Sequence, residues 1–507
     1  MDQSIRWSFT VRMIRTVCIF VAVCISACAA PEQRPNIILL MGDDHGWDET
    51  GYNGHQYVQT PVLDEMAASG LRLDRFYSAH PTCSPTRGSV ITGRHPNRYG
   101  TFSPNYSIRP EEISIAQILG KAGYATGHFG KWHLGPVKAE SPTNPGALGF
   151  DEWLSHDNFF EMNPTLSRNG GPPEQFPGES SEIVIDETIR FITTARESGQ
   201  PFFAVVWFGS PHEPYSGLEQ DLALYEDLPD EYKHQTVKLT SNETGKPTVR
   251  PLDEVLQERY AEITAMDRSI GKLRQWLDAE KLRENTVLWY CGDNGTPASG
   301  IITVPMRGLK GTVYGGGIRV PGIIEWPARI SSPQISGVNT VTSDMLPTLC
   351  DLVELPVPER PMDGISLNSL LDGDMTERPS PIYFWQYDTK QNSTRQPYID
   401  PELQKGTTPL AKIMNGEFTR TFTNFHHPEI TALDYNGSRV ILGNRYKLVI
   451  AGEKGNDSER ELFDVRTDPA EKHNLIEMKP DVAGKMERQL REWQGSVLNS
   501  LTGADYR

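Results

Sequence analysis

The chain has 507 residues, too many for one simple core, and its 37% hydrophobic and 9% aromatic content is that of a globular protein, which excludes wholesale disorder. The formal net charge of −17 excludes nucleic acid as a partner, because binding a phosphate backbone needs a basic surface and no basic run stands out in the body of the chain. An anionic substrate therefore has to be drawn in by a local cluster of cations, while the surplus carboxylates serve solubility or hold a divalent ion.

The first element in chain order is an export signal, residues 1–28. Arg6, Arg12 and Arg15 precede the apolar run Val17 to Ile25, which is too short for a permanent membrane span, and Ser26-Ala27-Cys28 follows it. Ile25-Ser26-Ala27-Cys28 resembles the bacterial lipobox. That implies cleavage before Cys28, a lipid on its sulfur, and a periplasmic or cell-surface protein that touches the membrane only through that lipid; plain secretion is the alternative. Cys18, Cys24 and Cys28 belong to the signal, so only Cys83, Cys291 and Cys350 remain in the body and no disulfide framework is available. Cys291 and Cys350 read as small buried hydrophobes.

The runs Asn36 to Met41, Phe202 to Phe208 and Thr286 to Cys291 are apolar without alternation, as strands buried on both faces of a parallel sheet require. Helical patterns lie between them: Pro61 to Ala68 with Thr60 as cap and Gly70 as stop, Ile113 to Ala122, Ile183 to Ala195, and Leu252 to Leu282. This alternation predicts an α/β fold over residues 34–375, a large, mixed but mostly parallel sheet sandwiched by helices. Residues 163–181 and 226–250 read as surface loops and candidate walls of a cleft. Over residues 376–507 the pattern changes to Ile382 to Trp385, Arg439 to Leu442, Lys447 to Ile450 and Glu461 to Asp464, then a terminal helix near Val482 to Leu498. That is a smaller antiparallel sheet plus a helix, with a hairpin at Gly443-Asn444-Arg445.

Chemistry is proposed first by Cys83-Ser84-Pro85-Thr86-Arg87-Gly88-Ser89-Val90-Ile91-Thr92-Gly93-Arg94. Pro85 suits the first turn of a helix that stops at Gly93, so Cys83 lies at a helix N-terminus, where free N–H groups and the dipole favour an anion. Arg87 faces the same side one turn on. Taken alone, such a cysteine is as readily a structural one. Each predicted parallel strand also delivers polar residues at its carboxyl end, where ligands gather in open α/β sheets: Asp43-Asp44, then His212, then Asp293-Asn294. Adjacent aspartates repel, a divalent cation relieves them, and an all-oxygen set suits Ca²⁺ or Mg²⁺ rather than zinc. Lys131 and His133, spaced i, i+2 between Gly130 and Gly135, share one face if the segment is extended. His212, between Pro211 and Pro214, reads as a positioned imidazole.

The twelve residues from Cys83 to Arg94 resemble the signature of the type I, formylglycine-dependent sulfatases of the alkaline phosphatase superfamily. The resemblance implies an alkaline phosphatase-like catalytic domain over residues 34–375. It also implies that a formylglycine-generating or sulfatase-maturating enzyme oxidises Cys83 to Cα-formylglycine (3-oxoalanine), whose hydrated aldehyde attacks sulfur. Asp43, Asp44, Asp293 and Asn294 match the family's calcium ligands, completed by the side chain at position 83, and calcium ranks ahead of magnesium. Gly130-Lys131-Trp132-His133-Leu134-Gly135 is similar to the family element in which the lysine binds sulfate and the histidine contacts the formylglycine hydroxyl and assists release. By the same likeness His212 is the general acid at the leaving oxygen, Lys310 in Gly308-Leu309-Lys310-Gly311 clamps the sulfate, and Arg87 steadies the nucleophile. One departure is Gly315, where the family usually has glutamate, which leaves open what bonds beside Lys310. Gly149 to Trp153 resembles a common family segment, and His156-Asp157-Asn158 after it either touches a sugar or is structural. The implied substrate is a sulfated carbohydrate, a polysaccharide or its oligosaccharides. The rivals are a phosphodiesterase or phosphonate hydrolase of the same superfamily and a non-catalytic, surface-anchored glycan-binding protein.

Overall fold

In a computed structural model of the protein, the apolar run after Pro35 forms the middle strand of a ten-stranded sheet. The described residues are 34–506 apart from 242–245, 302–303, 391–394, 410–418 and 453–458; the signal expected over residues 1–28, with Cys28, lies outside them. Numbered along the chain, the strands are β1 (Asn36–Gly42), β2 (Leu71–Leu73), β3 (Ala125–Lys131), β4 (Glu152–His156), β5 (Thr165–Arg168), β6 (Glu174–Gln175), β7 (Phe202–Trp207), β8 (Thr286–Gly292), β9 (Gly322–Glu325) and β10 (Gln334–Ser336). Their spatial order is β10-β2-β9-β8-β1-β7-β3-β4-β5-β6. The five central strands, β8-β1-β7-β3-β4, are parallel, and antiparallel strands flank them on both sides.

Register matters more for the site than strand count. Gly42 pairs with Gly292, Met41 with both Cys291 and Trp207, Gly130 with Trp207, and Lys131 with His156. The carboxyl ends of the central strands are therefore level, and whatever follows each strand leaves from one line along the sheet.

Alternation within the apolar strands assigns side chains to two cores. Ile37, Leu39, Met41, Val205, Trp207, Val287 and Trp289 pack on the face covered by α2 (Cys83–Thr92) and α3 (Ile115–Lys121) together with the helix Met345–Leu352. Ile38, Leu40, Ala204, Val206, Leu288 and Tyr290 pack on the opposite face. There they meet α1 (Pro61–Ser69), α4 (Ser180–Glu197) and α5 (Leu252–Ala279). Both faces are covered, which is why these strands carry no polar alternation. Thr60 does precede α1, but its hydroxyl bonds Gly51 and Asp64 and does not cap the helix.

The segments 163–181 and 226–250 are not wholly loop. The first contributes β5 and β6 at the sheet edge, and the second contains the helix Asp230–Lys233 and the hairpin Thr236–Thr240/Pro247–Pro251. These elements are short, and the two-residue β6 and Pro247–Pro251 are largely exposed, so they lack the apolar run that marks a buried strand.

The C-terminal sheet has four antiparallel strands in the order Ile382–Trp385, Arg439–Leu442, Tyr446–Ile450, Arg460–Asp464. Trp385, Ile441, Leu448 and Leu462 pack on the terminal helix Pro480–Leu501 through Leu490, Trp493 and Val497, while Phe384, Val440, Val449 and Phe463 pack toward Tyr77, Ile318 and Val341 of the large unit. Cys83, Cys291 and Cys350 are buried and free. No helix among the described residues is long and apolar enough to cross a membrane.

Gly130 is a close-approach position: its φ is +102°, and a Cβ there would lie 1.9 Å from the carbonyl oxygen of Trp207. Gly130→Ala is expected to cost roughly 3 kcal/mol through combined backbone strain and overpacking. Denaturant unfolding checks this; an unchanged midpoint would refute it.

Three buried imidazoles tie stability to pH. Burial pushes His55 down to about 4, and His80 and His95 down to about 3. Nδ1 of His55 accepts the N–H groups of Tyr57 and Val58, so protonation there breaks bonds the fold uses. Because their folded pKa lies below the ordinary value near 6.5, the unfolded chain takes up more protons in that interval. Stability present above pH 6.5 is thus lost as pH falls toward 4, at about 2 kcal/mol per imidazole by pH 5. Calorimetry should show Tm falling from pH 7 to pH 5, with proton uptake on unfolding; a flat Tm would contradict it.

Candidate active site

The level strand ends bring Asp43 and Asp44 from β1, Lys131 from β3, His212 from the loop after β7, and Asp293 and Asn294 from β8 against Cys83 at the start of α2. Every one of these seven side chains except His212 is wholly or almost wholly buried. One tight group, Asp43, Asp44, Cys83 and His212, presents ligand atoms all within 4.8 Å of one another. His212 stands in this tight quartet beside the expected ligands, and Asp293, also expected among them, is engaged by further partners. Its Oδ1 accepts the Asp44 N–H at 2.9 Å and its Oδ2 accepts Arg87 Nη2 at 2.8 Å. Asn294 Nδ2 donates to Asp44 Oδ1 at 2.9 Å.

The cations pair with these carboxylates. Lys131 Nζ lies 2.6 Å from Asp43 Oδ2, and Lys310 Nζ lies 2.5 and 2.7 Å from the two oxygens of Asp44. The turn carrying Lys310 is tied down by its own N–H to the Thr296 carbonyl and by Gly311 N–H to the Pro81 carbonyl. Arg87 bonds Asp293, approaches Asp43 Oδ1 at 3.3 Å and donates to the Lys131 carbonyl, stacked over Trp207. Its hydrogen bonds go to the strand ends rather than to Cys83, so it bolts β1, β3 and β8 together beneath the site.

Electrostatics follow from this packing. Burial alone would raise Asp43, but Lys131, His212 and Arg87 outweigh it and hold that carboxyl well below the usual range. Asp44 is likewise held down by Lys310 and His212 against burial. Burial, then repulsion from Asp43, pushes Asp293 up to about 7. Burial pushes the Cys83 thiol up to about 12 despite Lys131 and Lys310. The helix N-terminus was expected to favour an anion at this position, but desolvation wins. As a thiol, Cys83 is not an activated nucleophile.

Lys131 and His133 do not form the extended pair that their spacing suggests. The strand ends at Lys131, and His133 has a φ of +56°, so the backbone turns between them. The flanking Gly130, itself at positive φ, begins this departure from extended geometry. His133 is nonetheless buried near Lys131, its ring edge-on to Phe422 at 6.1 Å, with neither nitrogen hydrogen-bonded among the described residues. His212 stacks on Phe159 at 4.8 Å, and its Nδ1–H donates to the Glu213 carbonyl, which turns Nε2 toward Asp44 Oδ2 at 3.7 Å. Burial pushes this imidazole down to about 4.

Of His156-Asp157-Asn158, two members are structural. His156 Nε2 bonds the Pro409 carbonyl, and Asp157 accepts the N–H groups of Val137, Thr407 and Thr408. The buried amide of Asn158 has no partner among the described residues. The N–H of Gly315 donates to Glu471 Oε2 at 2.8 Å, and Glu471 also pairs with Lys447.

Sequence reading missed Arg259 and Glu49. Fully buried on α5, Arg259 forms a two-pronged pair with Glu49 at 2.6 and 2.7 Å and donates to the carbonyls of Asp44 and Pro211. It locks the Asp44 turn to the His212 loop. The signal was present: Arg259 falls in phase with Leu252, Val255, Leu256, Ile263 and Met266, a charge on the apolar face of a helix.

A profile of the family described as Sulfatase matches residues 35–355. The N-acetylgalactosamine-6-sulfatase of Canis lupus familiaris is 31% identical over 415 residues, covering 74% of this chain and 73% of that protein. An ulvan-active sulfatase of Formosa agariphila is 30% identical over 346 residues, covering 67% and 65%. The crystal structure of Ps i-CgsB in complex with k-i-k-neocarrahexaose superposes with a TM-score of 0.72 at 22% identity, over 92% of this chain and 93% of that one, which establishes the shared fold. The carboxylates, ammoniums and buried cysteine at the strand ends therefore have a family context: the chain belongs to the sulfatase family of the alkaline phosphatase superfamily and is a sulfuric ester hydrolase.

Proposed function

We propose that the protein removes sulfate from a sulfated carbohydrate, using Cys83 matured to Cα-formylglycine and a calcium ion held by Asp43, Asp44, Asp293, Asn294 and the side chain at position 83. The observation that carries this reading is the convergence of Lys131, Lys310, His212 and three aspartates on one buried cysteine at level strand ends. The donor set fits a hard cation: Asp43 Oδ1 and Asn294 Oδ1 are enclosed without a hydrogen-bond partner among the described residues, and every proposed first-choice ligand atom is oxygen once position 83 is oxidised. Such an ion supplies Lewis-acid polarisation of the sulfuryl oxygens, and the matured side chain supplies an oxygen nucleophile that the thiol cannot.

The remaining work falls to the chain's own groups. Lys131 and Lys310 bind the sulfate oxygens and meet the charge that develops on them. His212, with its Nδ1 proton engaged by Glu213, passes a proton from Nε2 to the departing oxygen. The bound ester's negative charge raises the affinity of that imidazole for a proton, against the burial that lowers it. His133, whose ring nitrogens are not engaged by other described residues, takes the proton from the nucleophile hydroxyl when sulfate leaves. Arg87 keeps Asp43 and Asp293 in register, acting on the site from beneath.

A carbohydrate is favoured because the relatives above act, by name, on N-acetylgalactosamine 6-sulfate and ulvan. The same reading has the chain exported and lipid-anchored at Cys28, matured by a formylglycine-generating or sulfatase-maturating enzyme, with residues 34–375 as catalytic domain and 376–507 as C-terminal subdomain. The test uses matured protein on a panel of sulfated oligosaccharides, with an aryl sulfate and an aryl phosphate diester side by side. Sulfate release from a glycan and preference for the aryl sulfate are expected. Preference for the diester would favour the phosphodiesterase reading, and glycan binding without release would favour the binding protein.

A further inference from the structure

Arg420 belongs to none of the motifs above. It sits on the short strand Thr419–Thr421, paired with Lys405–Pro409, and is half-buried. Its Nη1 donates to Asn105 Oδ1, while Nε is enclosed with no hydrogen-bond partner and no carboxylate pairs with the guanidinium among the described residues. A guanidinium held partly away from water is ordinarily paired, and a chain with a net charge of −17 has carboxylates to spare. The described residues therefore leave the Nε–H of this guanidinium unused as a donor.

Its position links it to the reacting groups. Asn105 follows Pro104, whose carbonyl accepts the hydroxyl of Ser84, the neighbour of Cys83, at 3.4 Å. The Asn105 carbonyl accepts the Thr423 N–H at 3.0 Å, and between Arg420 and Thr423 the ring of Phe422 meets His133. The charge of Arg420 acts on both Cys83 and His133. Lys131, Lys310 and Arg87 are each matched by Asp43, Asp44 or Asp293, so Arg420 is the cation near Cys83 without a countercharge among the described residues.

We infer that Arg420, oriented by Asn105, forms a second anion subsite that holds a carboxylate or a second sulfate on the sugar bearing the scissile sulfate or on its neighbour. The enzyme then selects substrates with two acidic groups, since a guanidinium fork can meet two oxygens of either group, the planar pair of a carboxylate or two of the three on a tetrahedral sulfate. This rests on the sulfatase reading of the same pocket.

The experiment compares matured wild-type and Arg420→Gln protein on three substrates: an uncharged aryl alcohol's sulfate, a disulfated disaccharide, and a monosulfated disaccharide carrying a uronate carboxylate. In the variant, the ratio of kcat/KM on at least one dianionic substrate to that on the aryl sulfate should fall about 10- to 100-fold, mainly through KM. Arg420→Lys should restore part of it. A fall confined to the disulfated arm assigns a second sulfate, and one confined to the uronate arm assigns a carboxylate. Unchanged ratios, or an equal loss on all three substrates, would overturn the subsite while leaving the sulfatase reading intact. A wild type that releases no sulfate from any of them would fail the parent reading first, and this one with it.

Discussion

Cys83→Ala protein should release sulfate at least about 10⁴-fold more slowly than wild type, with its fold intact. The Cys83 peptide of active wild type should be lighter than the coded peptide by the exchange of CH₂SH for CHO. The argument is desolvation. Cys83 is 2% exposed at the start of α2, and burial holds its thiol at about 12 against two nearby ammoniums, so almost none of it is thiolate at neutral pH. An unmodified thiol there would be an inert core group beside Asp43 and Asp44. Oxidation to an aldehyde exchanges that group for an oxygen nucleophile in a pocket whose lysines are already placed to meet negative charge. Sulfate release that survives in Cys83→Ala, or full activity from protein whose Cys83 peptide keeps its coded mass, would end this assignment. Because the removed sulfur is small and three separate strand ends frame the site, Tm should move little, which separates lost chemistry from lost folding.

The parts of this site that a one-dimensional reading recovers are those fixed by burial and by local turns. β1, β7 and β8 are legible because both faces of each are covered, so Ile37 and Ile38 alike must be apolar. Asp43, Asp44, Asp293 and Asn294 are legible because each follows such a strand. Lys131 and His133 do lie near one another, but not in the geometry their spacing suggests: a spacing of two implies a shared face only while the backbone stays extended, and the positive φ of His133 breaks that premise. Contacts across long stretches of chain leave weaker traces. Glu471 reaches Gly315, and Asn105 reaches Arg420, with no periodicity or motif to announce either. Arg259 lies between these cases, since its phase on an apolar stripe marks it as buried, while only the folded chain shows that Asp44 and Pro211 receive its hydrogen bonds.

Asp44→Asn carries the second large effect: sulfate release should fall by about 10³-fold, and calcium affinity measured directly by calorimetry on the same protein should weaken at least tenfold. Asp44 is the node of the cluster. Its N–H donates to Asp293, its carbonyl accepts from Arg259, and its carboxylate meets Lys310, Asn294 and His212. Its φ of +63° is one that asparagine adopts readily, so the substitution keeps the turn and the side-chain shape and removes only the charge. Lys310 then loses the carboxylate that both positions and neutralises it. Chelation of the wild type should reproduce the loss, and added calcium should restore the wild type at concentrations that leave the variant inactive. Unaltered calcium binding and near-normal turnover in Asp44→Asn would show that the ion, if one is used, lies elsewhere. Lost turnover with unaltered calcium binding would confine Asp44 to holding Lys310 and His212, and would remove it from the ligand set.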